Sequence, residues 1–101
     1  MPPPEYLSAE AKEFWRENFD ELRADGRLDP LSIGLFVALC STFGTLRQSA
    51  IALQGAPLIV PDRDGAMRKS PWLMVQTKAA AQYLRLAAEF GMTPASRARL
   101  R

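Results

Sequence analysis

The sequence predicts a mainly α-helical domain. It consists of a long antiparallel helical hairpin, a third helix and a short C-terminal helix, with a small β-hairpin or an irregular loop between the second and third helices. Three observations predict it. Apolar residues recur at helical spacing in three long segments. A capping residue followed by proline occurs at Asp29-Pro30, Ser70-Pro71 and Thr93-Pro94. A glycine stands just past each of the first three segments, at Gly26, Gly55 and Gly91. The 101 residues form one domain around one core, with residues 1–6 as a loose, proline-rich start.

The first helix opens at Ser8-Ala9-Glu10. Ser8 can cap it, and Glu10 sits where the helix dipole favours an acid. Ala11, Phe14, Trp15, Phe19 and Leu22 then form one apolar stripe, and Asp25-Gly26 ends the helix. The connection "DGRLDP" is short, as between antiparallel neighbours. Asp29-Pro30 opens the second helix, which is expected to run to about Gln54. It carries two apolar faces: Leu35, Leu39, Phe43, Leu46 and Ala50, and Ile33, Phe36, Val37 and Cys40. Arg47 is the one charged residue from Pro30 to Val60. A helix apolar almost all round must be covered on most sides. Either another subunit covers part of it, with Ile33, Phe36, Val37 and Cys40 as the candidate interface, or its own chain wraps it.

Leu58-Ile59-Val60 is a short β-prone run, and "PDRDG" supplies turn residues before Ala66-Met67-Arg68-Lys69. The third helix follows Ser70-Pro71, with Trp72, Val75, Ala79, Tyr83, Leu86 and Phe90 on one face. Gly91 fits a left-handed cap, and Thr93-Pro94 starts a fourth segment by the cap-then-proline device.

Composition excludes several functions. There is no histidine, so the commonest general base and metal ligand is missing. No cysteine pair or acidic cluster replaces it as a metal site. Asp62 and Asp64 lie in a turn-like run, where aspartate serves the backbone. The glycines are scattered singly and form no phosphate-binding loop. The chain is therefore read as a non-enzyme without cofactor or metal. Cys40, the sole cysteine, sits among apolar residues as a structural thiol. No apolar run is read as approaching the roughly 20 residues that span a bilayer, and the N-terminus does not read as a signal peptide, so a cytoplasmic protein is expected.

Charge is unevenly placed. Residues 1–29 hold eight acids and four bases, whereas residues 30–101 hold nine bases and three acids. Such a split suits a surface that meets a polyanion, or neighbouring subunits that attract one another. Arg63, Arg68, Lys69, Arg97 and Arg101 are the candidate phosphate contacts. Arg97 and Arg101 are four apart and share one face of a helix. The competing role for these two is to oppose the helix dipole and pair with acids of a neighbouring copy.

The order of these signals resembles the small subunit of phage terminases, in the family whose members carry a "GLTPxSRxRL"-like motif. The residues that carry the resemblance are Leu7-Ser8-Ala9-Glu10-Ala11, Phe14-Trp15, Glu21-Leu22, Gly26-Arg27-Leu28-Asp29, Leu39-Cys40 and Phe43. Further on come Gly55, Gly65, Lys69-Ser70-Pro71 and above all "LRLAAEFGMTPASRARL", residues 84–100. The resemblance implies a non-catalytic protein that assembles into a ring of itself and binds double-stranded viral DNA. It also implies that the protein directs the large terminase subunit, which carries the ATPase and nuclease, in the host cytoplasm. A prophage setting is equally compatible. Many relatives continue past the motif, so any docking function housed there is expected to be absent or placed elsewhere. The rival reading is a helical oligomeric adaptor that binds no nucleic acid. A helix-turn-helix reading of helices one and two fits less well, because the second helix lacks polar base-reading residues.

Overall fold

Ser8 opens helix α1, Ala9–Ala24, by accepting a hydrogen bond from the Ala11 amide at 3.2 Å. The structure is a computed structural model describing the backbone of residues 1–100 and side-chain surroundings as far as Ala98. The buried residues of α1 are Ala11, Phe14, Trp15, Phe19 and Leu22, the stripe that its spacing predicts. The helix closes in a Schellman turn. Gly26 takes a φ of +71°, and the Arg27 amide donates back to the Leu22 carbonyl at 2.9 Å.

Asp29 caps the next segment through Oδ1, which accepts from the Ser32 amide at 2.9 Å and the Ser32 hydroxyl at 2.8 Å. Pro30–Ser32 forms a 3₁₀ turn that leads into α2, Ile33–Ala52. The helix ends slightly before the predicted Gln54, because the chain turns toward Gly55, whose φ is +67°. Strands β1, Ile59–Pro61, and β2, Met67–Lys69, form an antiparallel ribbon with Ile59 opposite Lys69 and Val60 opposite Arg68. The hairpin alternative, not the irregular loop, is the one realised. Helix α3, Pro71–Glu89, begins at Ser70, whose hydroxyl accepts from the Trp72 amide at 3.2 Å. A second Schellman turn at Gly91 separates it from α4, Pro94–Leu100.

Helix α2 is the middle of the domain and packs on both α1 and α3. Phe36 is its centre. Its ring lies 4.9 Å from that of Trp15, 5.8 Å from Phe90, 6.1 Å from Phe19 and 6.5 Å from Phe14. Leu28, Leu39, Cys40, Ala87 and Leu7 complete the buried cluster.

This arrangement corrects the expected interface on α2. Phe36 and Cys40 have no exposed surface, and Ile33 and Val37 pack partly against the same core. That face is spent inside the chain because α1 and α3 both close on it. The exposed apolar residues of α2 are instead Leu35 and Ile51, with Leu31 just before it. The Trp15 indole N–H, buried with its ring, donates to the Met1 carbonyl at 3.0 Å and holds the first residues along α1.

By length and composition, Pro30–Ala52 is apolar enough to cross a membrane, although no uninterrupted apolar run stands out in the sequence. Serines, threonines and a glutamine break the run without adding charge. Its single charge, Arg47, pairs with Glu13 of α1 at 3.2 Å.

The body measures 53 × 31 × 22 Å with a radius of gyration of 16.4 Å. A compact chain of this length has about 13 Å. The elongation has a simple cause. Helix α1 begins alongside Gly44 and Gln48, so the end of α2, the ribbon and the first turns of α3 project past it.

Gly44 marks the closest approach of α1 and α2. A Cβ there would lie 2.6 Å from Ser8 Oγ and 3.2 Å from Ala11 Cβ. Gly44→Ala gains about 1 kcal/mol of helix propensity. It must displace the capping hydroxyl, which costs about 1 kcal/mol, and overpack the contact for a further 1–3 kcal/mol. Urea unfolding should show a net loss of about 1–3 kcal/mol. Gly34→Ala, where a Cβ meets open space, should stabilise the chain by about 0.5–1 kcal/mol.

Burial pushes the Cys40 thiol up to about 12. The folded state therefore keeps the thiol protonated where the unfolded chain ionises. The stabilisation is fully present below the ordinary thiol range and is lost as pH rises from about 9 toward 12, at up to about 1.4 kcal/mol per pH unit. Native protein at pH 8 should not react with a thiol-specific disulfide reagent, and should react stoichiometrically in guanidinium. Rapid reaction of the native protein would contradict this burial.

Candidate nucleic-acid interface

The ribbon turn is organised by Asp62. Its Oδ1 accepts from the amides of Asp64 at 2.9 Å and Ala66 at 3.0 Å, and its Oδ2 accepts from Arg68 at 3.2 Å. Gly65, with φ +81°, completes the turn. Asp62 thus serves the backbone, as its place in a turn predicts. Its carboxylate holds Arg68 against the turn, so Arg68 is the least available base of the ribbon. Arg63 and Lys69 are exposed and take part in no ion pair among the described residues.

Thr93 and Ser96 fix the start of α4 reciprocally. Thr93 Oγ1 accepts from the Ser96 amide at 3.1 Å, and Ser96 Oγ accepts from the Thr93 amide at 3.1 Å. This is a capping box with serine in the place usually held by glutamate. Thr93 was legible as a cap; the buried Ser96 was not, because serine at that position carries no helix signal. Arg97 follows on the exposed side. Arg101 lies outside the described residues, as does the side chain of Leu100, expected to fold toward Phe90 or Met92.

The structure does not bring these bases into one patch. The ribbon and α4 lie at opposite ends of α3, whose 19 residues span about 28 Å. Between them stand Lys78 and Arg85, two bases that the sequence reading missed. They are seven apart on α3, exposed and in no ion pair among the described residues. Spacing by two helical turns was the available signal. Lys78 and Arg85 therefore share one face of α3, while Arg63 and Lys69 lie before its start and Arg97 after its end. Exposed acids Glu17, Asp20 and Glu21 lie on α1, likewise in no ion pair among the described residues.

Arg27 ties the end of α3 to the body. Its guanidinium donates to the carbonyls of Gly91 at 3.1 Å and Phe90 at 3.3 Å, and to Asp25 at 2.8 Å. A linker arginine thereby satisfies the C-terminal carbonyls of α3 and favours its dipole. Among the described residues no group of three or more acids or cysteines could hold a metal ion.

The fold and the charge distribution define a helical module with an acidic first helix and, among the described residues, exposed bases in no ion pair on α3 and near both its ends. A family model described as phage terminase, small subunit, matches residues 11–101, and the chain belongs to that family. Membership supports a role in phage DNA packaging, and the family is generally non-catalytic. No curated protein and no solved structure matches the chain significantly.

Replacing Arg27 by Met keeps its stem and removes its donors. Hydrogen bonds from a charged group contribute about 1.5–3 kcal/mol. Arg27 is partly solvated, so Arg27→Met should cost about 1–2 kcal/mol in chemical denaturation. A loss below about 0.3 kcal/mol would remove Arg27 from the set of residues that hold the C-terminus of α3.

Proposed function

We propose that this chain is a non-catalytic terminase subunit that assembles with copies of itself, binds double-stranded viral DNA and directs the large subunit to it. The observation that carries the reading is the family match over residues 11–101. The bases at the two ends of α3, exposed and in no ion pair among the described residues, support the DNA part. Phosphate contact by lysine and arginine supplies affinity without requiring a recognition helix. Arg63, Lys69 and Arg97 are the proposed contacts from the sequence, with Arg68 restrained by Asp62 and Arg101 as a further proposed contact. The work takes place where phage genomes are packaged, in the host cytoplasm, and the chain itself supplies neither ATPase nor nuclease.

The test is DNA retention as a function of salt. Wild-type protein should bind duplex DNA at low salt and lose affinity steeply as salt rises. Arg63→Ala with Lys69→Ala should weaken binding across all sequences and lower the salt slope by roughly two, one for each lost contact. The assembly should remain whole. Arg97→Ala separates its two roles: a smaller slope assigns it to DNA, while an unchanged slope with a weaker assembly assigns it to a neighbouring subunit. No retention even at low salt would replace this reading with an adaptor that binds no nucleic acid.

A further inference from the structure

Two apolar surfaces remain open, and they lie on different sides of α2. The first is a shelf past the start of α1. The stripe of α2 that faces α1 runs through Cys40, Gly44 and Arg47 and continues uncovered to Ile51, which is 54 % exposed. The matching stripe of α3 runs through Phe90, Tyr83 and Ala79 and ends at Trp72, 46 % exposed. Helical spacing puts each set on one face. The second surface is a groove of about 630 Å³ between α2 and α3, lined by Leu35, Ala38, Thr42, Arg85, Leu86 and Glu89 among others. On α2 these positions are a third of a turn or more from Cys40, Gly44 and Arg47.

The area says how much is missing. A folded monomer of 11.2 kDa exposes about 5,700 Å². This chain exposes 6986 Å², roughly 1,300 Å² more than that scaling gives. A stable contact takes about 800 Å² from each partner, so a subunit with one neighbour on each side covers about 1,600 Å². The surplus is therefore of the size that two contacts per chain would remove. Two different surfaces suit a head-to-tail contact, which closes into a ring when the rotation permits. The charges agree. Glu89 at the groove rim and Lys78, on α3 between the shelf and the groove, are both without ion-pair partners among the described residues.

We propose that the Ile51–Trp72 shelf of one copy seats in the α2–α3 groove of the next, so that each chain uses both surfaces once. The proposal rests on the assembly part of the functional reading and names its contact. Trp72 and Ile51 enter an apolar slot beside Leu35 and Leu86, and Lys78 meets Glu89 at its edge. The occupant is a second copy of this chain.

The experiment uses two variants at half-exposed positions: Ile51→Glu blocks the shelf and Leu35→Glu blocks the groove. Circular dichroism should show unchanged helicity. If either loses helicity, Trp72→Lys and Ala38→Glu replace them. By sedimentation velocity at tens of micromolar, wild type should be a closed assembly. Each variant alone should be monomeric, its self-association weakened at least 100-fold. Mixed in equal amounts, the two should form one-to-one dimers, because the intact shelf of one meets the intact groove of the other and growth stops there. A mixture that stays monomeric, or a variant that assembles as wild type does, overturns the proposed contact while leaving assembly standing. A monomeric wild type overturns the assembly reading itself, and this contact with it.

Discussion

Phe36 is the residue on which the three long helices agree. Its ring meets Trp15, Phe14 and Phe19 from α1 and Phe90 from the end of α3. Each such aromatic pair contributes about 0.5–1.5 kcal/mol beyond its area burial. More important is what the position decides. Once Phe36 points inward, the phase of α2 is set, and so is the identity of the residues left outside. Gly44 must then face Ser8 and Ala11, which permits no side chain. Arg47 must lie over Phe43 and reach Glu13, so the one charge of α2 stays within the chain.

The second constraint is length. Helix α1 has 16 residues, against 20 in α2 and 19 in α3. It cannot cover the pair from end to end. At one end the chain compensates with the Arg27 clamp and the reciprocal Thr93–Ser96 cap, which seal the junction of α3 and α4. At the other end nothing comparable occurs among the described residues, and Ile51, Ile59, Met67 and Trp72 stay in contact with solvent. One end of the domain is finished by its own chain, and the other presents apolar surface.

Much of this was legible from residues alone, for identifiable reasons. The buried stripe of α1 could be read because charged residues fill the positions between its apolar ones, so the phase is explicit. The caps at Ser8, Asp29, Ser70 and Thr93 could be read because each hydroxyl or carboxylate precedes its helix in a local pattern. Helix α2 hides its phase, being apolar on every side. That is why Phe36 and Cys40 were candidates for an interface and lie in the core. Arg27 was visible as part of a motif, but its partners stand 63 and 64 residues away. Neither periodicity nor composition reports such a pairing. The bases of the ribbon and tail were found one by one. Their separation by the length of α3, and the two bases between, depend on where the helix starts and stops.

The unequal burial of the two tryptophans has a practical side. Trp15 is 1 % exposed and stacks on Phe19 with ring centroids 4.9 Å apart, while Trp72 is half in solvent more than a helix turn past the start of α1. Two indoles in such different media emit at different wavelengths and differ in access to a soluble quencher. Their fluorescence therefore divides the chain into two spectroscopic halves, one reporting on the aromatic centre and the other on the uncovered end, without any label being attached.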